Sequence, residues 1–426
     1  TRDEYGQNLP FYLVPNAYTF RQISETDKRD AIFGSIQWRP SDQFNINLDV
    51  QYSDRTYVEN RRDLNLSEGR YGLTNVVYDE NGIVQSLNGL SSLESNGSEL
   101  ARSEEYLGGG LSVEWQPSDR LTVTLDGSYS RTVRTEIERN FRLRTDPTDV
   151  NGVRTVFNNM RIPYTYSITP GSFVPTITID PRFDLNNHNL FWDDARFRRD
   201  ESKRHNEIYA GRFDVAYEMD GFLSKISAGG RWSHLTYRDY DVRNGDFNLN
   251  PAIAEDRRIN NLCRTAFPQQ DYLSAAKGNS ISSWATFDVD CLFREYMGAE
   301  DPGNLDDTRS DANRDVTERT LAGYVMAEYD ADLGNMPVRG NFGVRVVNTR
   351  VVSDGLRSNL TVVADPDDPS KINLVSTGDF DTVTIKSRST RILPSINAIF
   401  EVAPATQLRL AGYRAMSRPN PSALGA

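Results

Sequence analysis

Residues Trp38-Arg39-Pro40-Ser41-Asp42-Gln43-Phe44-Asn45-Ile46-Asn47-Leu48-Asp49-Val50-Gln51-Tyr52 decide the fold. From Phe44 onward every second residue is apolar and those between are Asn, Asp or Gln, a period of two that an extended strand turns into one apolar and one polar face. Pro40-Ser41-Asp42 is turn chemistry, and Trp38 stands just ahead of it. The unit recurs. Trp115 precedes Pro117-Ser118-Asp119 and the alternation Leu121, Val123, Leu125, Gly127, Tyr129 follows; Tyr217 precedes Met219-Asp220-Gly221, Tyr329 precedes the turn ending at Gly334, and Phe400 precedes Ala403-Pro404.

An aromatic on the apolar face near each of five tight turns is the sequence mark of an interfacial belt. The chain is therefore expected to be all-β, an antiparallel transmembrane β-barrel segment with short periplasmic turns and long extracellular loops. Ten spanning strands are expected in pairs near 29–39 and 44–58, 105–116 and 121–138, 203–218 and 222–240, 316–330 and 337–352, and 387–402 and 407–416. Between pairs the connections run over 59–104, 139–202, 241–315 and 353–386, and their own signals, Asn81-Gly82 and Asn151-Gly152, predict hairpins within them. Alternation also fixes facing. Tyr209, Gly211, Phe213, Val215 and Tyr217 are expected toward lipid with Ala210, Arg212, Asp214 and Ala216 in the lumen; Leu321, Gly323, Val325, Ala327 and Tyr329 face out, with Tyr324, Met326 and Glu328 inside.

Composition is compatible with this. The 426 residues carry a formal charge of −12 and 38% hydrophobic residues, without a run of about 18 apolar residues for a membrane helix, whereas a barrel strand needs only about 9 to 11 residues with alternate ones apolar. The acidic balance argues against nucleic-acid binding, which needs clustered cations. One basic run, Arg196, Arg198 and Arg199 with Lys203 and Arg204, reads as solvated rim charge. The two cysteines, Cys263 and Cys291, share the longest stretch without strand pattern and are candidates for a loop-closing disulfide in an oxidising compartment.

No catalytic constellation, cofactor motif or metal site emerges, so no enzyme is expected. Gly108-Gly109-Gly110 lacks the Lys-Ser/Thr of a phosphate loop and reads as close packing on a barrel wall. Asp311-Ala312-Asn313-Arg314-Asp315 starts like a calcium loop, but Val316 and Ala322 occupy the required Gly and Glu positions. A looser acidic group, Asp301, Asp306, Asp307 and Asp311, reads as a solvated loop with calcium as the alternative. Candidate ligand contacts are the lumen-facing Arg212, Asp214, Tyr324 and Glu328 and the loop aromatics Trp192, Trp284 and Tyr296, which would either stack on a ligand or pack the loops together.

Ile392-Leu393-Pro394-Ser395-Ile396-Asn397, followed by Leu408 onward to Met416-Ser417-Arg418-Pro419-Asn420-Pro421, resembles TonB-dependent outer-membrane receptors, as do the two Pro-Ser-Asp turns. These matches are scattered from about residue 29 to 421. The resemblance implies a barrel of roughly 22 strands filled by a plug domain, with the TonB complex driving uptake of a scarce small ligand across the outer membrane. The ligand it suggests is a carbohydrate or a siderophore. No plug or TonB-contacting box is recognisable at the start and no terminal aromatic strand at Ala426, so all of 1–426 is expected to be a partial barrel from the middle of a larger receptor, the plug lying outside it. A secreted, soluble β-rich protein that binds glycans or is structural is the reading from another class. It requires apolar faces packed against each other, and a passive porin is the nearer variant.

Overall fold

The computed structural model describes residues 13–67, 69–145, 161–172, 174–243, 261–303, 313–334, 336–366, 368 and 370–423. Its strands are β1 Tyr18–Ser41, β2 Phe44–Leu66, β3 Tyr71–Tyr78, β4 Val84–Ser91, β5 Leu93–Ser118, β6 Leu121–Thr145, β7 Ile162–Ser167, β8 Thr176–Ile179, β9 Phe191–Glu218, β10 Leu223–Arg243, β11 Arg264–Thr265, β12 Thr286–Phe287, β13 Arg314–Leu333, β14 Met336–Ala364, β15 Ile372–Ala403 and β16 Thr406–Tyr413. An α-helix, α1, covers Val289–Met297. Ten strands form one antiparallel sheet in the order β1-β2-β5-β6-β9-β10-β13-β14-β15-β16. Consecutive long strands are joined at one end by two to four residues, such as Asp42-Gln43, Asp119-Arg120 and Pro404-Ala405. Among the described residues no helix is long and apolar enough to cross a membrane.

The two faces match the alternation. Ile36, Leu321 and Val325 are 64%, 62% and 55% exposed on the outward face, whereas Asp214 and Ala322 on the inward face are 9% and 5% exposed. A single sheet with an uncovered apolar band is what lipid solvates, and it is not the face-to-face packing that the soluble reading requires.

The register shows how the five turn-side aromatics reach one height. Trp38 pairs with Ile46, which pairs with Val113, two residues short of Trp115. Trp115 leads through Val123 and Val215 to Tyr217, again two residues further on. Tyr217 leads through Ile226 and Ala327 to Tyr329, and Tyr329 through Gly340 and Ala398 to Phe400, by the same step. The belt thus climbs one residue per strand, about 3.3 Å along for each 4.8 Å across, which levels it if the strands tilt by about 35°. That tilt is within the range of outer-membrane barrels.

Beyond the band, the strands extend into the long connections. β1 begins at Tyr18, β2 runs to Leu66, β6 to Thr145, β14 to Ala364, and β15 begins at Ile372, so much of 59–104, 139–202 and 353–386 is strand. β15 has 32 residues, about 105 Å of chain. Backbone pairing does not depend on side-chain polarity, so a ladder continues where the apolar alternation stops. The expected hairpin at Asn81-Gly82 joins β3 to β4, with Gly82 at φ 76° and Asp79 accepting from the amides of Asn81 and Ile83. The one expected at Asn151-Gly152 lies outside the described residues.

The connections fold into a cap at this far end. β3, β4, β7 and β8 form a small sheet, β11 pairs with β12, and α1 follows with Asp288 capping it by accepting from the Cys291 amide. Cys263 and Cys291 are joined, with Cα atoms 5.5 Å apart. The cap's core rests on Leu64, Phe141 and Phe197, which share the outward parity of the lipid band lower on their strands. The cap therefore covers the outer face of the protruding wall, and among the described residues it leaves the inner face open. Gly97 lies opposite Phe141 because a Cβ there would overlap the Phe141 ring.

Candidate ligand pathway on the inner face

Within the membrane band, inner positions of β9, β10, β13 and β14 bring Arg212, Asp214 and Tyr324 together. Tyr324 Oη donates to Asp214 Oδ1 at 2.6 Å, and Arg212 Nε forms an ion pair with the other carboxylate oxygen. Asp214 and Tyr324 are not on neighbouring strands. Both pair with Gly229 of β10, and a Cβ at Gly229 would overlap Asp214 Oδ1 and Tyr324 Cε1, so the bridge exists because that residue has no side chain. Arg231 and Arg345 complete a recess of 350 Å³ around the trio. Glu328 stands four residues down β13 from Tyr324, opposite Lys225, and is not part of the cluster.

A second inner recess, of 450 Å³, lies beside Gly108, Gly110 and Arg212. The three glycines are strand residues of β5, and a Cβ at Gly109 would approach the Asp49 carbonyl oxygen to 2.7 Å. This is the close packing their context predicts.

Above the band the inner face opens into a vestibule of 450 Å³ lined by paired charges and two amides, Asn96 and Asn140. Arg21 grips Asp63 with two bonds of 2.9 and 2.7 Å, and Arg198 donates to Asp200 at 3.0 Å. Arg61 lies 3.7 Å from Glu138, whose carboxyl burial pushes above the ordinary range. The wall mixes five arginines with three carboxylates and two amides, a set of donors and acceptors that suits a ligand rich in hydroxyl groups better than one of uniform charge.

The structure separates the sequence candidates. Trp284 and Tyr296 are 1% and 6% exposed inside the cap, and Trp192 of β9 is 4% exposed but outside the cap's apolar cluster. Trp284 packs on Phe267 and Tyr272 with centroids at 4.5 and 5.2 Å, and Tyr296 stacks on Phe197 at 4.8 Å, so protein occupies these ring faces. The basic run is divided by strand parity, and its reading as solvated rim charge fails at Arg199. Arg196 and Arg198 line the vestibule, while Arg199, 3% exposed on the opposite face, binds Asp301 and Glu201. Asp301 is thereby engaged by a guanidinium, and Asp306, Asp307 and Asp311 lie outside the described residues. Among the described residues no three His, Cys, Asp or Glu side chains are grouped to hold a metal. The sequence reading missed Gly229, Arg231, Arg345 and the vestibule. Inner parity on β14 could have found Arg345, but the vestibule lies where no alternation survives.

The profile of the TonB-dependent receptor-like β-barrel family matches residues 140–426. The chain belongs to that family, whose members are outer-membrane receptors and transporters rather than enzymes and work with TonB on small ligands. β1, β2, β5 and most of β6 precede the matched segment and continue its sheet in register. No curated protein and no solved structure matched the chain.

Proposed function

We propose that residues 1–426 are all barrel domain of a receptor that takes up a scarce, hydroxyl-rich ligand, a carbohydrate in first place and a siderophore in second, with TonB-derived energy. The observation that carries this reading is the inner face itself: a vestibule lined by Arg, Asp, Asn and Glu stands above Arg212, Asp214 and Tyr324, while the apolar band is turned the other way. Ligand enters at the vestibule and descends past the trio when a plug contributed from outside these residues rearranges.

Calorimetry of the full-length receptor against neutral oligosaccharides and ferric siderophores tests the ligand class. A saccharide is expected to bind, with Asp63→Asn weakening it about tenfold or more, since it removes the carboxylate that Arg21 grips on the vestibule wall and that would accept from the ligand's hydroxyls. Binding of siderophores alone would replace the ligand class. Accumulation of the bound ligand in cells that is indifferent to loss of TonB would remove energy coupling and leave the passive-pore reading.

A further inference from the structure

On the outward face, one row of the register is basic across adjacent strands. His234 of β10 pairs with Arg319 of β13, Arg319 with Arg350 of β14, and Arg350 with Arg388 of β15. Directly paired side chains on one face stand about 5 Å apart, and like charges so placed repel. Arg319, Arg350 and Arg388 are all exposed, and among the described residues none has a carboxylate within 4.0 Å. Arg319 Nε donates to His234 Nδ1 at 3.3 Å. The acids on this face lie four residues higher: Asp315 is held by Arg238 at 3.0 Å, and Asp354 accepts from Thr384.

Height distinguishes this row from ordinary surface charge. Trp232, 47% exposed, and Leu321, 62% exposed, lie two residues below His234 and Arg319 on the same face, and the Trp232 ring stacks on His234. Arg319 is ten residues above the belt residue Tyr329, and Arg388 twelve above Phe400. At the tilt deduced above, that is about 27 to 32 Å along the normal, one apolar thickness. The row thus stands where the band ends, on the side away from the turns, at the level of lipid headgroups.

We infer that Arg319, Arg350 and Arg388 form a binding row for phosphate-bearing lipid headgroups of the leaflet opposite the short turns. Three guanidinium groups offer planar, paired donors that match phosphate oxygens, and the anion relieves the repulsion that the register imposes. A lipid is favoured over a soluble anion because its acyl chains lie against the adjoining Trp232 and Leu321 while its headgroup meets the row. The residues belong to the outer face and take no part in the proposed ligand pathway.

The test uses the full-length receptor in a non-ionic detergent, offered equal amounts of phosphatidylglycerol and phosphatidylcholine, with retained lipid read by native mass spectrometry. Phosphatidylglycerol is expected to be retained about fivefold or more over phosphatidylcholine. The triple variant Arg319→Gln, Arg350→Gln, Arg388→Gln is expected to bring that ratio within about twofold of unity. Replacing the same three by Lys keeps the charge and is expected to retain most of the preference. Arg391→Gln removes one charge from the inner face of β15 and is expected to leave it unchanged. Equal retention by the unaltered receptor, or an undiminished preference in the Gln triple, overturns the proposal. Loss of the preference when inorganic phosphate is added overturns the lipid assignment, since the row would then bind free anion.

Discussion

Tyr324 reaches Asp214 across an intervening strand, its hydroxyl donating at 2.6 Å over Gly229. In an antiparallel sheet, side chains two strands apart are about 9.6 Å apart at the backbone and do not ordinarily touch. The missing side chain at Gly229 and the length of the tyrosine together close that gap.

Filling the gap should therefore act like cutting the bond. Gly229→Ala and Tyr324→Phe are each expected to lower stability in detergent by about 1 to 3 kcal/mol, through overpacking in the first and loss of a bond to a carboxylate in the second. Thermal melting of both variants and their double mutant checks this. The double mutant should fall short of the sum by at least about 0.5 kcal/mol, and strict additivity would mean that Gly229 does not make the bridge.

Trp284 is predicted to hold the cap together, with no part in ligand contact. Trp284→Ala empties a site that is 1% exposed between Phe267 and Tyr272, at an expected cost of about 3 to 5 kcal/mol to the cap. Hydrogen exchange over β11, β12 and α1 should rise while exchange within the membrane band stays unchanged. Faster exchange throughout the sheet would show that cap and wall are one cooperative unit.

Acid should release the segment after α1. Arg199 donates to Asp301 from the cap-facing side of β9 and holds its carboxyl below the ordinary carboxylate range. A depressed carboxyl contributes stability that is fully present above its unfolded value, near pH 4, and is lost as pH falls through the lower folded value. The protection of residues 289–303 against hydrogen exchange, taken relative to the intrinsic rate at each pH, is therefore expected to be high at pH 7 and to fall below about pH 4. Asp301→Asn should remove this part of the pH dependence; an identical profile in that variant would assign it to other acids.

A charge in the band should be costly on one face only. Val325→Arg places a cation on the outward face of β13, 55% exposed where lipid would be, at an expected cost of about 2 to 4 kcal/mol. Met326→Arg, one residue along and facing the lumen, is expected to cost less. Yield of folded protein in the membrane and resistance to urea extraction compare the two. Equal losses would contradict the assignment of faces.

The membrane part of this molecule was readable because its determinants are local. Phe213 and Asp214 are covalent neighbours on opposite faces, so period two assigned one to lipid and the other to the lumen without any tertiary knowledge. Trp38 and Trp115 lie within a few residues of their turns for the same reason. The extent of β2, β6 and β15 could not be read, since above the membrane both faces are polar or covered by the cap, and a backbone ladder leaves no hydrophobic period of its own. Trp284 and Tyr296 were ambiguous in sequence because stacking on a ligand and packing in a core call for the same residue type. Their partners, Phe267 and Phe197, are assigned only by the folded cap.

The sequence by itself determined the strand class, the facing of each spanning strand and the end at which the turns lie, because these follow from neighbours in the chain and from lipid as the solvent of one face. Only the tertiary structure decided the one-residue climb per strand, the meeting of Tyr324 with Asp214 110 residues away, and the alignment of Arg319, Arg350 and Arg388 into one row. Each of these depends on register between strands. Backbone hydrogen bonds fix register pair by pair, and every shift of two residues would preserve the same alternation while bringing different side chains together.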